Sequence, residues 1–259
     1  MTDITYNDIL ARVKALSGID SPSATVQTAL TSLVNRRANM AYKATDFWPR
    51  YLVGSEQRAF SVVTVAPTQL VPGYSYTITY VGSTDWVACG AASNTVGVVF
   101  NAIATGTGNG TATYNSNTIP YTQSGLNTID TFLRIFKVYP PFYQYSSIEL
   151  EFYVDGSGAH VVNDTTSTQT NYVSYKKVWE GPYTTASTNI PEEWFDYISQ
   201  GVYADYLRMD GKPPEFVAAE QALANDILEQ RLSRTDITRA SGTIAHRIST
   251  HVNRAFRRS

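Results

Sequence analysis

Ile190-Pro-Glu-Glu-Trp-Phe-Asp-Tyr-Ile-Ser-Gln-Gly-Val-Tyr-Ala-Asp-Tyr-Leu-Arg-Met-Asp-Gly211 carries the strongest periodic signal in the chain. Trp194, Ile198, Val202 and Tyr206 recur every four residues, and Phe195 and Leu207 widen the stripe, as in a helix with one buried face. Pro191 suits a first helical turn, and Glu192 and Glu193 set acids against the positive end of the helix dipole. Asp210-Gly211 stops this helix and Pro213-Pro214 opens another, whose stripe is Phe216, Val217, Leu223, Ile227, Leu228 and Leu232. Two stripes joined by so short a link predict an antiparallel helical hairpin.

The opposite end of the chain also reads as helical. Tyr6, Ile9, Leu10, Val13 and Leu16 share one face, Thr5 with Asp8 forms a capping-box pattern, and Gly18 stands where a helix-ending glycine belongs. A second helix is predicted from Ser21-Pro22, with Val26, Leu30, Leu33, Val34, Arg37, Ala41 and Tyr42 as its stripe. It ends before Trp48-Pro49, because proline disfavours helical geometry in the residue preceding it. Between the two helical ends the period shortens to two. Tyr74, Tyr76, Ile78 and Tyr80 alternate with Ser and Thr, and strands are also predicted over 96–103, 132–139, 148–154 and 172–179. Gly106-Thr-Gly108-Asn-Gly110 and Gly156-Ser-Gly158 read as turns, and Pro140-Pro141 as a strand stop.

These elements predict an α+β fold. Its helical bundle core holds four main helices, two N-terminal and two C-terminal. The expected segments are a helical core over 1–58 and 180–233, a charge-poor β insertion over 59–128, and strands over 129–179 that pack on or project from the core. An extended basic C-terminal arm over 234–259 completes the chain.

Charge divides the 259 residues more sharply than periodicity does. Charged residues are 16% of the total, against about 25% in an ordinary soluble domain. From Ala59 to Leu133 the only charges are Asp85 and Asp130, so this stretch obeys a different surface logic from the rest. From Arg234 onward there are six arginines against one acid, a net +5, which leaves −7 for the remainder of a chain whose total is −2. An acidic body with a basic end is the layout of a chain whose terminus reaches toward something else.

A single cysteine, Cys89, excludes an internal disulfide framework and has no Cys or His at metal-ligand spacing. No apolar run reaches the roughly 18 residues of a bilayer span, and Met1-Thr-Asp-Ile-Thr-Tyr6 lacks the basic and apolar regions of a signal peptide. Synthesis in the host cytoplasm is therefore expected, and the triplets at Asn109 and Asn163 that resemble glycosylation acceptors are read as chance.

Catalytic patterns are sparse. His160, His246 and His251 read as solvated, the last two being five residues apart and so not on one helix face. The glycines at 106, 108 and 110 lead into Thr-Ala-Thr-Tyr and not into the Lys-Ser/Thr of a phosphate cradle. Glu149 and Glu151 share a strand face, as paired glycosidase acids would, but alternation with Leu150 and Phe152 already explains them as its wet side. No Gly-x-Ser-x-Gly elbow occurs. The reading is of a non-enzyme with no catalytic residue, no metal and no cofactor.

The basic end carries more information. Ile244, Ile248, Val252 and Phe256 recur every four residues, with Arg247, Arg254, Arg257 and Arg258 between and beyond them. This pattern fits an amphipathic helix that orders on a protein partner. A nucleic-acid arm, a membrane-surface helix and a solvated tail fit it too, although an acidic body and few lysines speak against nucleic acid.

The hairpin stretch, continued by Ala219-Glu-Gln-Ala-Leu-Ala-Asn-Asp-Ile-Leu-Glu-Gln-Arg-Leu232, resembles the closing helices of tailed-phage head–tail adaptor (connector) proteins. In them a strand, here Val173-Ser-Tyr-Lys-Lys-Val-Trp179, leads to an Ile-Pro start. Pro191, Trp194, Tyr203, Tyr206 and Leu207 carry the likeness, and the opening through Asp46-Phe-Trp-Pro49 is similar as well. The insertion resembles a small β module that recurs in phage virion proteins, through Tyr76, Gly82, Asp85, Trp86, Gly97, Phe100, Gly106 and Gly108. The resemblance implies a virion protein of the neck: a homo-oligomeric ring, often dodecameric, that docks under the portal, extends the DNA channel and offers the tail a platform. Its implied partners are itself, the portal protein and a downstream tail or nozzle protein. DNA would pass through without sequence-specific binding, and no membrane is involved. The C-terminal arm, through Ile244, Arg247, Ile248, Val252, Arg254, Phe256, Arg257 and Arg258, is the expected portal contact. A second reading is a virion decoration or carbohydrate-binding protein acting through the β insertion; a third is a nucleic-acid-binding protein acting through the tail.

Overall fold

The computed structural model describes residues 3–137, 149–162 and 171–234. In chain order they begin with β1 (Asp3–Ile4), α1 (Tyr6–Ser17) and α2 (Ala24–Lys43). The strands β2 (Leu52–Arg58), β3 (Val62–Val65), β4 (Ser75–Tyr80), β5 (Val99–Asn101) and β6 (Thr111–Asn115) follow. After them come β7 (Thr118–Ile119), β8 (Ile129–Phe136), β9 (Phe152–Asp155), β10 (Gly158–Val161) and β11 (Asn171–Lys177). The chain closes with β12 (Ile190–Pro191), a 3-10 turn at Glu192–Trp194, α3 (Phe195–Met209) and a helix, α4, over 214–234. These elements form two compact units, one from the described residues up to Leu52 and from Val178 onward, the other from those within Val53–Lys177.

The α+β fold with a helical bundle as its core is corrected by this inventory. The described chain is a mixed α/β protein with four helices and twelve short strands in several antiparallel sheets, and the helices supply the core of one unit only. The second unit has two apolar cores of its own. One gathers Phe60, Ile119, Phe132, Ile135, Val173 and Tyr175, and the other Leu70, Tyr76, Ile78, Trp86, Cys89 and Phe100. Strands of two to eight residues explain the misjudged balance, because a period of two is nearly invisible over so few positions whereas a helix repeats its stripe over several turns. Boundaries move for the same reason: the strand expected over 96–103 is Val99–Asn101, and the one expected over 148–154 is Phe152–Asp155, with Glu149 making only an isolated bridge to Phe136.

In the first unit, Thr5 caps α1. Its hydroxyl accepts from Asp8 N at 3.1 Å and donates to Asp8 Oδ2 at 2.7 Å, and the Thr5 amide donates to the same oxygen at 2.9 Å; the hydroxyl's bond first and the amide's second hold that carboxyl below its ordinary pKa. Gly18 ends the helix at φ +69°, where no Cβ strain arises. Ser23 begins α2. Tyr6, Ile9 and Val13 of α1, Leu30, Val34 and Ala38 of α2, Trp194, Ile198 and Val202 near and within α3, and Ala224 of α4 share one buried core. Helices from both ends of the chain thus close on each other, and β1 pairs antiparallel with β12 through Asp3 opposite Pro191 and Ile4 opposite Ile190.

A buried ion pair ties three of these helices together. The Arg37 Nε and Nη2 atoms donate to the two Asp205 carboxylate oxygens at 2.7 and 2.8 Å, and Nη2 also meets Gln221 Oε1 at 2.5 Å. Burial alone would lower the guanidinium's pKa; the hydrogen bonds and charge of Asp205 outweigh it, and the pKa stands above the ordinary arginine value. Gly201 makes room for this contact, since a Cβ there would lie 2.9 Å from Arg37 Cδ and Nε.

The second unit contains three sheets, with strand orders β7-β10-β9, β2-β11-β8 and β3-β6-β4-β5. The longest pairing, β11 with β8, runs from Tyr172 opposite Phe136 to Lys177 opposite Ile129 and is interrupted by bulges. Arg58, almost fully buried, reaches the Tyr175 hydroxyl at 2.9 Å and lies 4.8 Å from that ring's centroid.

Candidate functional site

The four-stranded sheet β3-β6-β4-β5 has two faces that differ in kind. Inward, Tyr76 and Ile78 of β4 meet Phe100 of β5 and Ala112 of β6, with Trp86 closing the core. The ring of Trp86 lies 5.8 Å from Phe100, and Tyr76 lies 6.0 Å from Phe100 and 5.6 Å from Tyr114. Outward, the register sets Thr64, Thr113, Thr77 and Val99 in one row across all four strands, and Ser75 opposite Asn101 beside it. The outer face therefore presents hydroxyls, amides and methyl groups without a charge.

The same module exposes a large share of its apolar side chains. Val62, Tyr74, Tyr80, Val96, Val99 and Ile103 are each more than half exposed. Its lone carboxylate before Asp130 is turned to local use: Asp85 Oδ1 accepts the amides of Val87 at 3.1 Å and Ala88 at 3.4 Å, and Asn94 Nδ2 at 3.3 Å. Exposed apolar groups without interspersed charge are what a protein partner covers most cheaply, because no ion is stranded on burial.

The residues that carry the phage-module likeness meet in this unit as packing groups. Tyr76, Trp86 and Phe100 form its core, while the glycines admit close backbone. A Cβ on Gly82 would lie 2.2 Å from Asn109 Oδ1, and one on Gly106 would lie 2.5 Å from Cys89 Sγ. Gly97 turns the chain at φ +88°, its amide donating to Ile78 O at 2.8 Å. Gly108 combines φ +111° with a notional Cβ 2.9 Å from the Thr84 Cα and N. Gly108→Ala is expected to cost about 2–4 kcal/mol, combining positive-φ strain with a backbone clash, as a lower urea midpoint at unchanged slope.

The helical signature also occupies packing positions. Pro191 sits in β12, Trp194 is fully buried, and Tyr203, Tyr206 and Leu207 are half-buried on α3, Tyr206 against the main core. The arm residues Ile244, Arg247, Ile248, Val252, Arg254, Phe256, Arg257 and Arg258 lie outside the described residues, as do His246 and His251.

His160 is not merely solvated. Its Nδ1 lies 3.0 Å from the Thr118 hydroxyl, its Nε2 lies 2.9 Å from Asp155 Oδ2 and 3.1 Å from Ser157 Oγ, and Tyr153 stacks on the ring at 4.7 Å. In a nucleophilic relay the acid and the hydroxyl hold opposite imidazole nitrogens. Here Ser157 meets the same nitrogen as the acid and directs its hydroxyl to Asp155 Oδ1 at 2.6 Å, while the hydroxyl on the opposite nitrogen, that of Thr118, is buried and donates to the Ser116 carbonyl at 3.1 Å. Those hydrogen bonds, first from Ser157 and then from His160, hold the Asp155 carboxyl far below its ordinary pKa. The arrangement locks the β9–β10 turn. It escaped the sequence because Thr118 is 42 positions away, although the Asp155–Ser157–His160 spacing within one hairpin was a usable signal.

Glu149 lies 3.7 Å from Arg134, and Cys89 is buried, its thiol pKa raised by desolvation and by the charge of Asp85. Among the described residues no three His, Cys, Asp or Glu side chains gather as a metal site, and no helix is long and apolar enough to cross a membrane. Compared with family models, with curated proteins and with solved structures, the chain finds no match in any of the three.

Proposed function

We propose that this chain is a structural adaptor of a tailed-phage neck. It works by self-association into a ring that docks under the portal, extends the DNA channel and receives the tail. The observation that carries the reading is the uncharged outer sheet face, with its cross-strand row of Thr64, Thr113, Thr77 and Val99 and its exposed apolar neighbours. Identical neighbours can cover such a face without burying an unpaired ion. The sequence likeness of the closing helices to head–tail adaptors supplies the location, and the net +5 of the arm suits a docking segment that orders on contact.

Two measurements test it. Negative-stain electron microscopy of the full chain, alone and mixed with its portal protein, is expected to show rings. Deleting the residues after Ala240 is expected to leave the melting temperature unchanged and to abolish portal capture in a pull-down. A chain that stays monomeric even on the portal, or a truncation that binds undiminished, would overturn the assembly or the arm respectively.

Exposed Tyr74 and Tyr80 in the charge-poor stretch favour a second reading, since accessible tyrosine rings suit the apolar faces of sugars. A glycan array probed with the full chain separates the two, a silent array removing the carbohydrate reading.

A further inference from the structure

A cleft of about 310 Å³ opens in the helical unit between α1, α3 and α4. Its charge runs against that of the chain before Arg234, whose net is −7: Arg12 and Arg231 line it together with Arg234, the first arginine of the basic end, against one lining carboxylate, Asp196. Asp196 lies 3.5 Å from Arg231 Nη2, and the charge of Glu193 acts on Arg231 as well. Ser199 also lines the cleft. It is 2% exposed, and its hydroxyl has no hydrogen-bond partner.

That hydroxyl is the informative group. A serine inside a helix ordinarily satisfies itself on the carbonyl four residues back, and a buried hydroxyl without any partner is costly. Ser199 on α3 forgoes that bond and lines a cleft whose other polar groups are three arginines, two glutamines and a single carboxylate. A donor beside guanidinium groups calls for an anionic acceptor. Leu223 and Ile227 contribute apolar lining to the same cleft, a surface suited to methylene groups and wasted on a bare phosphate. The chain's own tail is a poor occupant, because beyond Arg234 it carries five arginines and one acid.

We propose that this cleft is a docking site for a glutamate side chain from an acidic segment of a partner protein. The carboxylate is met by the arginines and by the Ser199 hydroxyl, and the side-chain methylenes lie along Leu223 and Ile227. The site is separate from the uncharged sheet face, so its fate does not depend on ring assembly.

The test uses the full chain and a blocked, fluorescent, glutamate-rich hexapeptide, followed by anisotropy at fixed ionic strength. The glutamate peptide is expected to bind, and its glutamine analogue to bind about tenfold more weakly or less well still. Arg12→Gln and Arg231→Gln are each expected to weaken binding by about tenfold. Ser199→Ala should weaken it by about tenfold as well, yet leave the melting temperature unchanged or raised, because in the free protein the hydroxyl bonds nothing. That split separates a ligand-facing serine from a structural one. No binding of the glutamate peptide, equal binding of the glutamine analogue, or displacement by equimolar inorganic phosphate would each overturn the proposal. So would a Ser199→Ala variant that melts earlier at unchanged affinity. Sedimentation of the same variants completes the test: loss of self-association in Arg12→Gln without peptide binding would assign the cleft to a second copy of the chain and end the proposal.

Discussion

An Asp205→Ala variant is expected to lose about 3–5 kcal/mol of stability, the cost of leaving a buried charge without its partner. Arg37 and Asp205 side chains are only 3% and 4% exposed, so water cannot replace the missing carboxylate. Gln221 and the Tyr197 hydroxyl would remain as neutral partners of the guanidinium, too little to solvate a full charge. The loss should be read as a lower urea midpoint of the helical circular-dichroism signal, with the sheet unit's signal following its own course. Replacing both partners, as in Arg37→Met with Asp205→Leu, is expected to recover most or all of the deficit, because a well-packed apolar pair avoids desolvation altogether. A single variant that stays within about 1 kcal/mol of the parent would show that the pair is open to water in solution.

Trp194→Ala is expected to cost about 3–5 kcal/mol by emptying the centre of the helical unit's core. The indole is fully buried, stacks on Tyr51 with ring centroids 5.5 Å apart, and meets Trp48 edge-on at 5.8 Å. Trp48 is itself pinned by its indole N–H, which donates to the Ala41 carbonyl at 2.7 Å, so it cannot swing in to fill the void. Trp194 has no such tether: its N–H lacks a hydrogen-bond partner. Trp194→Phe should therefore cost far less than alanine, since it removes an unsatisfied donor along with the lost ring. Thermal melts of the two variants give the comparison directly, and equal losses would mean that the indole N–H is solvated after all.

Much of the helical unit was legible in the sequence because helices announce both ends and a face. Thr5 with Asp8, Gly18, and the four-residue spacing from Trp194 to Tyr206 each correspond to a cap, a stop or a buried stripe in the structure. Arg37 was placed on the stripe of the second helix. Its partner could not be read, because Asp205 is 168 positions away and no local pattern marks it. The sheets were the opposite case. β4 alternates over six residues and could be read, whereas β1, β7 and β12 have two residues each and carry no period. β2, with Gly54, Glu56 and Arg58, looks like a loop until Tyr175 accounts for its polar groups. That imbalance produced the mistaken helical-bundle fold class. The uncharged sheet face was visible as a charge desert, but its cross-strand row required the register. The cleft and the His160 turn lock both depend on residues that fold into proximity, which spacing alone does not encode.

The seams of the sheet unit have an evolutionary consequence. β2 leaves and β11 returns as hydrogen-bonded neighbours in one sheet, so the chain departs and re-enters side by side. Just outside those seams, Arg50 and Glu180 grip each other at 3.0 Å. The two stumps are thus stapled together twice, once by backbone and once by charge. Such a gate lets a lineage swap the intervening cassette for a larger one, a smaller one or a tight loop while the helical frame keeps its shape. Diversity can then accumulate in the appendage without reopening the scaffold that bears it.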